Sequence, residues 1–214
     1  NVALILEGLT KQKEIEKTHK ELLFIVGEAV EARSKEIGAH VQRVAIICEL
    51  IAQKLGLSTA FIEAIRLAAP LHDLGKIAMP EHILHKPGKL VGDEWKIMQT
   101  HAQVGGDILA KSTVSVSKLA SRLAHYHHEN CDGSGYPEGL SGEDIPIEAR
   151  IMAIADVFDA LGSSRCYKKA WSDDKIKAYL IEQKNIKFED TLVDIMVDDF
   201  ERFTDIRRQY PDQP

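Results

Sequence analysis

The sequence is poor in aromatic residues and in cysteine. Aromatic side chains make up 6% of the 214 residues, against 44% for hydrophobic side chains as a whole. That balance favours a helical globular protein over a β-sandwich. Cys48, Cys131 and Cys166 lie far apart and form no CxxC pair, which argues against a zinc knuckle and against a disulfide framework. Unpaired cysteines are typical of a reducing compartment, so we predict a cytoplasmic location.

Long apolar runs and basic tracts are missing as well. No stretch approaches the roughly 20 apolar residues of a membrane span, and we expect none. The formal net charge is −6 and no segment is rich in Lys or Arg. A nucleic acid polymer is therefore not an expected partner, because its phosphates need a basic patch. The chain begins at Asn1 without a Met or a basic segment, which we interpret as a cut inside a longer protein.

Apolar residues recur at helical spacing along the chain, and no segment shows a defensible strand pattern. We therefore predict an all-α fold, with Ser58 as a helix N-cap and a kink at Pro70. Two segments are rich in glycine and proline. We predict that residues 76–92 form a loop or contain short turns, and that residues 130–146 form a substantial ordered loop. The predicted helices cover about residues 10–33, 40–54, 59–71, 93–110, 116–126 and 147–161, with two more in 173–209.

The first helix begins with a highly charged segment, residues 11–17. Three interpretations stay open: an incoming signalling helix, a dimeric coiled coil, or a plain solvated helix. The heptad pattern is too short and impure to decide among them. We divide the chain into a connector helix over residues 1–30 and a folded domain over residues 31–214.

What the chain does have is histidine, nine residues in all, and three of them stand beside carboxylates in two motifs. The first is HDLGK at 72–76; the second is HHE at 127–129, which runs into DGSGYP at 132–137. Imidazole nitrogens and carboxylate oxygens together suit zinc, manganese or iron. Two or more such ions can bind a phosphodiester and activate water for its hydrolysis. The motifs therefore predict a metal-dependent phosphohydrolase.

The adjacent pair His72 and Asp73 suits a binuclear centre, because a carboxylate can bridge two ions while an imidazole holds one. By itself such a dipeptide is as well explained by chance. Lys76 strengthens the interpretation, since it follows Asp73 by three residues and can reach over the same site toward a phosphate. The alternative is a surface lysine after a helix stop at Gly75.

Asp156 lies in an apolar helix and needs a partner there, because burial of an unpaired carboxylate is costly. A metal would supply that partner. The glycine-rich loop after His127 and His128 favours ligands over an ordinary buried histidine pair. His101 is ambiguous from its local context alone.

Three other polar residues have two interpretations each. Glu36 stands four residues before His40, a spacing that presents two ligands or forms a surface hydrogen bond. Arg165 and Lys168 follow the Asp156 helix and could contact phosphate oxygens, the arginine as a bidentate fork. Surface cations explain them about equally well.

The motifs resemble those of the HD-GYP family, whose members hydrolyse the bacterial messenger cyclic di-GMP. The resemblance covers about residues 30–205 and implies an all-α HD-domain bundle with an ordered GYP loop. It also implies two or three divalent ions, with iron or manganese favoured and zinc, nickel or magnesium as alternatives. The motifs that carry it are HDLGK at 72–76, KPGKL at 86–90, HHENCDGSGYP at 127–137 and IPIEARIMAIADVFDAL at 145–161.

The resemblance also assigns roles by position. Asp73 and Lys76 would be catalytic, and Glu36 would complete a three-metal site. The substrate would contact Lys76, Tyr136, Arg165 and Lys168. The implied metal ligands are Glu36, His40, His72, Asp73, His101, His127, His128 and Asp156.

We hypothesise that metal-activated water attacks one phosphorus of cyclic di-GMP and yields linear pGpG, which a second cut converts to GMP. Residues 162–168 depart from the family pattern and resemble members that follow a receiver, so we expect an upstream receiver or sensory domain. A diguanylate cyclase docking on the GYP loop and a homodimer through the first helix are further expected partners. Two alternatives stay open: a non-catalytic dinucleotide-binding or cyclase-docking module, and a hydrolase of another nucleotide.

Overall fold

The computed structural model describes residues 2–34, 39–163 and 169–212. Regular structure in these ranges is helical, with two isolated β-bridges and no strand, which confirms the all-α prediction. None of the described helices combines the length and hydrophobicity that a membrane crossing needs. The α-helices are α1 (Val2–Arg33), α2 (His40–Lys54), α3 (Thr59–Ala68), α4 (Glu81–Leu84), α5 (Asp93–Ala110), α6 (Ser115–Tyr126), α7 (Ile147–Gly162), α8 (Asp173–Glu182), α9 (Asp190–Asp198) and α10 (Phe200–Gln209).

Capping and proline chemistry set the bounds of α3. The Ser58 side chain accepts a hydrogen bond from the Phe61 N–H at 3.3 Å, so the N-cap prediction is confirmed. The helix ends at Ala68, and a 3₁₀ turn that includes Pro70 follows. Proline lacks the N–H that would continue the α-helical ladder. The predicted kink is therefore a change of helix type just before His72.

Two sequence predictions about element bounds were wrong. Helix α1 begins at Val2 rather than near residue 10; its charged stretch favours a helix through pairs such as Lys11 with Glu7. Residues 173–209 form three helices instead of two, because the backbone leaves the helical region at Asp199 (φ −122°, ψ 39°). The short turns predicted within residues 76–92 are the end of a 3₁₀ helix and the four-residue helix α4.

The core forms where α2 packs against α3 and α7. Ile47, Ile151 and Phe158 are fully buried in one continuous apolar cluster. Burial of each such side chain contributes about 1.5–3 kcal/mol. His40 begins α2 and Asp156 lies in α7, so this packing also brings these two polar residues to one end of the bundle.

Two glycines let backbones approach the segment that contains His72. A Cβ atom on Gly27 of α1 would lie 2.3 Å from the Pro70 carbonyl oxygen. One on Gly75 would lie 1.8 Å from the carbonyl oxygen of His101 in α5. Both helices therefore pack directly against residues 69–76. Helix α1 runs unbroken through residue 30, and the domain division there stays a prediction.

A buried carboxylate organises the long loop after α6. Glu129 is 2% exposed. Its Oε1 accepts the N–H groups of Glu138 at 2.7 Å and Gly139 at 3.1 Å, and its Oε2 accepts that of Leu140 at 3.0 Å. The predicted ordered loop is thus held closed by one side chain.

The close approach at Gly27 predicts a loss of stability in Gly27→Ala. The added methyl must displace the Pro70 backbone, so we expect the free energy of unfolding to fall by about 1–3 kcal/mol. Gly8→Ala is the matched control on the same helix, because its Cβ meets nothing within 4 Å. We expect it to be neutral or mildly stabilising. Urea unfolding of both variants measures the difference, and equal stabilities would refute the tight contact.

The Glu129 hydrogen bonds predict local loosening in Glu129→Gln. An amide NH₂ cannot accept, so at least one buried backbone N–H loses its partner, at a cost of about 1–3 kcal/mol. We expect faster hydrogen–deuterium exchange at residues 138–140. Glu143→Gln, at an exposed position of the same loop, is the control and should leave exchange unchanged. Wild-type protection in Glu129→Gln would contradict this account.

Candidate metal centre

Three buried histidines are oriented in the same way. In each, Nδ1 lies within hydrogen-bond distance of the backbone carbonyl three residues earlier, which favours the tautomer with Nδ1 protonated. Nε2 is then left to face the site. These contacts join His72 to Ala69 O at 2.9 Å, His101 to Met98 O at 2.7 Å and His127 to Ala124 O at 2.8 Å.

Asp73 lies at the junction of these rings. Its Oδ1 is 3.1 Å from Nε2 of His101 and 3.8 Å from Nε2 of His127. Its Oδ2 is 3.2 Å from Nε2 of His72 and 2.6 Å from Nζ of Lys76. The two carboxylate oxygens thus face different sets of donors. This is the arrangement of a carboxylate that can bridge two cations.

The structure gathers seven of the eight predicted ligands. Glu36, the eighth, lies outside the described residues, as do the predicted phosphate contacts Arg165 and Lys168. The remaining ligands fall into adjoining groups in which one donor atom from each residue lies within 4.8 Å of the others. The groups are Asp73, His101, His127 and His128; His40, His72 and Asp156; and Glu31, His72 and Asp73.

Orphaned polar atoms test whether this set fits a metal. Nε2 of His72, Oδ1 of Asp73 and Nε2 of His127 are buried and make no geometrically sound hydrogen bond within the described part of the chain. Buried polar atoms normally have partners, since their desolvation is otherwise uncompensated. A divalent cation would compensate all three atoms. The residues present therefore fit a divalent metal centre.

Burial and charge push the histidine pKa values apart. Burial alone would lower the pKa of His72, but the Asp73 carboxylate outweighs it and raises that pKa to about 9. Burial lowers the pKa of His127 to about 3, and the positive charge of His72 adds to the effect despite the opposing charge of Asp73. The pKa of His128 is also well below its usual value, first through burial and then through His127 and His101.

Asp73 itself stays ionised. Burial favours the neutral acid, but Lys76 and His72 hold the pKa of Asp73 well below its ordinary value. The centre therefore combines an anionic carboxylate with neutral imidazoles at His127 and His128, the forms that bind metal.

Glu31 is a site residue that the sequence reasoning missed. This buried α1 side chain lies beside His72 and Asp73, and its Oε1 is 3.7 Å from Nζ of Lys76. The close contact of Gly27 with residue 70, one turn earlier in α1, brings it there. The signal in the sequence that could have identified it was a glutamate next to apolar residues of α1.

A buried ion pair of Arg43 and Asp159 lies behind His40, and no motif in the sequence marked Arg43. Oδ2 of the fully buried Asp159 is 2.8 Å from Nδ1 of His40, and its carboxylate accepts from Nε and Nη2 of Arg43 at 2.6 and 2.9 Å. Against the effect of burial, His40 and Arg43 lower the pKa of Asp159. The ion pair orients His40 so that its Nε2 lies 3.6 Å from Oδ1 of Asp156.

Lys187, in the turn between α8 and α9, interacts electrostatically with the site. Its carbonyl oxygen accepts the Cys131 N–H at 3.2 Å, which ties the turn to the GYP loop. Burial lowers the pKa of Lys187, and the charge of Asp156 opposes this shift. Lys187 in turn contributes to the low pKa of His128. No local motif marked this lysine.

Tyr136, which the family resemblance proposes as a substrate contact, lies against the histidine cluster. Its ring stacks on His128 with centroids 4.7 Å apart and planes 28° apart. The indole of Trp95 meets the Tyr136 ring edge-on, with the two ring centroids 6.0 Å apart. Trp95 was not predicted.

The comparisons with known proteins agree with this geometry. The sequence profile of the HD domain matches residues 25–192. The 3′3′-cGAMP-specific phosphodiesterase 2 of Vibrio cholerae is 48% identical over 99% of this chain and 41% of its own length. The cyclic di-GMP phosphodiesterase response regulator RpfG of Xanthomonas campestris is 44% identical over 88% of this chain and 50% of its own. The chain thus spans half or less of these relatives.

Two solved structures share the fold. A cyclic GMP-AMP-specific phosphodiesterase of V. cholerae, V-cGAP3, superposes with a TM-score of 0.68 at 20% identity, over 89% of this chain and 52% of its own. Bd1817, described as an HDG"Y"P protein from Bdellovibrio bacteriovorus, superposes with a TM-score of 0.61 at 19% identity, over 91% of this chain and 67% of its own. The chain belongs to the HD domain family, and its motifs place it among the HD-GYP members.

Proposed function

We propose that this chain is a metal-dependent phosphodiesterase that hydrolyses cyclic di-GMP to linear pGpG, with GMP as the product of a second cut. The observation that carries the proposal is the position of Asp73, whose two oxygens face separate sets of histidines. A site that holds two cations side by side is suited to a phosphodiester. The cyclic di-GMP phosphodiesterases among the relatives support the same substrate.

The proposed ligands are the seven gathered residues with Glu36, and Glu31 is a further candidate. Two or three divalent ions bound there would supply Lewis acidity and an activated water. Asp73 stays anionic between the ligand groups, and the carbonyl-bonded histidines hold their Nε2 atoms in place without rearrangement. Iron or manganese is our choice of metal; this donor set also accepts zinc, nickel or magnesium.

We propose that two lysines neutralise phosphate oxygens. Lys76 pairs with Asp73 at 2.6 Å, and we propose that it turns to the substrate when cations compensate that carboxylate. Lys187 approaches from the side of Asp156 and His128. Arg165 and Lys168 keep the phosphate-binding role that the family resemblance implies.

A second substrate has a specific observation in its favour. The relative with 48% identity is named as specific for 3′3′-cGAMP, whereas RpfG, named for cyclic di-GMP, is 44% identical. Both compounds are cyclic dinucleotides with the same diester backbone. Parallel assays with the two substrates decide between them.

The proposal also covers the surroundings of the enzyme. A relative named as a response regulator supports an upstream receiver, whose signal would enter through α1. A cyclase partner at the GYP loop, a homodimer through α1 and a cytoplasmic location stay predictions. The non-catalytic module is disfavoured because the described site retains its ligands.

Asp73→Asn tests the function directly. The amide keeps the shape of the side chain but loses the bridging negative charge, so we expect fewer bound metal ions. We expect kcat to fall by at least about 10³-fold, which corresponds to an increase of about 4 kcal/mol in the activation free energy. Anaerobically purified, metal-loaded protein would be analysed for metal content and for turnover of cyclic di-GMP, cGAMP, pGpG and dNTPs. Asp174→Asn, at an exposed position, is the control.

Wild-type turnover in Asp73→Asn would refute the assignment of that carboxylate. Fully metal-loaded wild-type protein that binds cyclic di-GMP without releasing product would refute the enzyme and favour the binding module. Turnover of dNTPs alone would identify a different nucleotide hydrolase.

Lys187→Ala tests the second cation. Loss of a charge-assisted contact of about 1.5–3 kcal/mol predicts a fall in kcat/KM of roughly 10- to 150-fold for the cyclic dinucleotide. Lys184→Ala is the matched control in the same turn, because Lys184 pairs with Asp194. Both variants should keep the wild-type metal content. Equal kinetics for the two variants would remove Lys187 from the substrate site.

A further inference from the structure

A row of aromatic rings leads from the metal centre to the protein surface. His127 and His128 lie with centroids 3.9 Å apart, and Tyr136 stacks on His128. Trp95 then meets Tyr136 edge-on at 6.0 Å with planes 83° apart. The row ends in an indole that is 45% exposed, so an aromatic surface lies beside the centre.

The backbone fixes the inner part of this row. The Tyr136 N–H donates to the His128 carbonyl at 3.2 Å. A Cβ atom on Gly135 would lie 2.3 Å from the Asn130 backbone nitrogen, so the chain before Tyr136 is pressed against the start of the loop. Tyr136 is therefore held flat on His128.

The position of Trp95 is fixed by the start of α5. Its neighbour Glu94 forms an ion pair with Lys86 and accepts the Val91 N–H at 3.2 Å. His101 follows Trp95 by six residues, or roughly 9 Å along the helix axis. That separation is comparable with the span from a phosphate to the far edge of its base.

We propose that Trp95 and Tyr136 form a nucleobase subsite, in which the base next to the reacting phosphate stacks on the indole of Trp95 and meets the Tyr136 ring edge-on. This inference rests on the proposed function, because it takes the phosphate to lie at the metal centre. Large aromatic rings offer apolar faces to a flat ligand, and base–aromatic stacking tolerates every base. The subsite therefore strengthens binding without distinguishing guanine from adenine, and cyclic di-GMP and cGAMP should depend on it equally.

The test separates the base from the phosphate. Calorimetry on the metal-loaded protein would measure binding of GMP and of ribose 5-phosphate, which carries the same phosphate without a base. In Trp95→Ala we expect GMP affinity to fall roughly 5- to 150-fold and ribose 5-phosphate affinity to be unchanged. Trp95→Phe should recover most of the loss. Ile97→Ala, another exposed position on α5, is the control and should bind both ligands as wild type does.

Fluorescence gives an independent readout. The chain has two tryptophans, and Trp171 lies elsewhere, under Lys175 and beside Tyr179. In Trp171→Phe the emission comes from Trp95 alone, and GMP should quench it whereas ribose 5-phosphate should not. Unquenched emission on saturation with GMP would overturn the subsite.

Kinetic measurements distinguish a failure of this inference from a failure of the proposed function. Trp95→Ala should raise KM for both cyclic dinucleotides, with kcat and metal content close to wild type. Equal losses for GMP and ribose 5-phosphate, or a fall in metal content, would assign Trp95 a purely structural role and overturn the subsite. A wild-type protein that turns over neither dinucleotide overturns the proposed function, while the two binding experiments still decide whether a base stacks on Trp95.

Discussion

The buried carboxylate of Asp73 constrains everything around it, because an ionised group cannot lie in a protein interior without compensation. Lys76 supplies one positive charge from the same 3₁₀ helix. His72 lies on one side of the carboxylate and His101 on the other. His101 can come so close only because Gly75 has no side chain where the α5 backbone passes. The electrostatic requirement at one residue thus fixes how closely two segments pack.

The centre is rigid for a related reason. Each of His72, His101 and His127 has its outer nitrogen at a backbone carbonyl within its own turn of chain, and Asp159 with Arg43 does the same for His40. Ligands held in this way need no reorganisation when cations arrive, and the partners behind them tune ligand basicity. Rigidity at the metal end contrasts with the exposed indole of Trp95 at the other end of the aromatic row. In the proposed function the two ends would meet different parts of one substrate, the diester and the base.

Many residues of the candidate site could be proposed from the sequence. The pairs His72–Asp73 and His127–His128 are adjacent in sequence, so their types and spacing suffice to propose them as ligands. Asp156 was recognisable because a carboxylate in an apolar helix needs a partner. His101 had no such local signal, and only the family resemblance proposed it. The sequence reasoning did not identify Glu31, Arg43 or Lys187, because each of them acts on site residues that are far from it in sequence.

The sequence by itself determined the helices, the ligand chemistry and the family, because helical periodicity, capping residues and motif spacing are local properties. It misplaced the start of α1 and the break at Asp199, where local propensity and packing compete. Only the tertiary structure decided which atoms meet. Glu31 from α1 lies beside His72 and Asp73, and Lys187, near the other end of the chain, interacts electrostatically with Asp156 and His128. A periodic pattern states which face of a helix is buried, whereas long-range packing decides what that face is buried against.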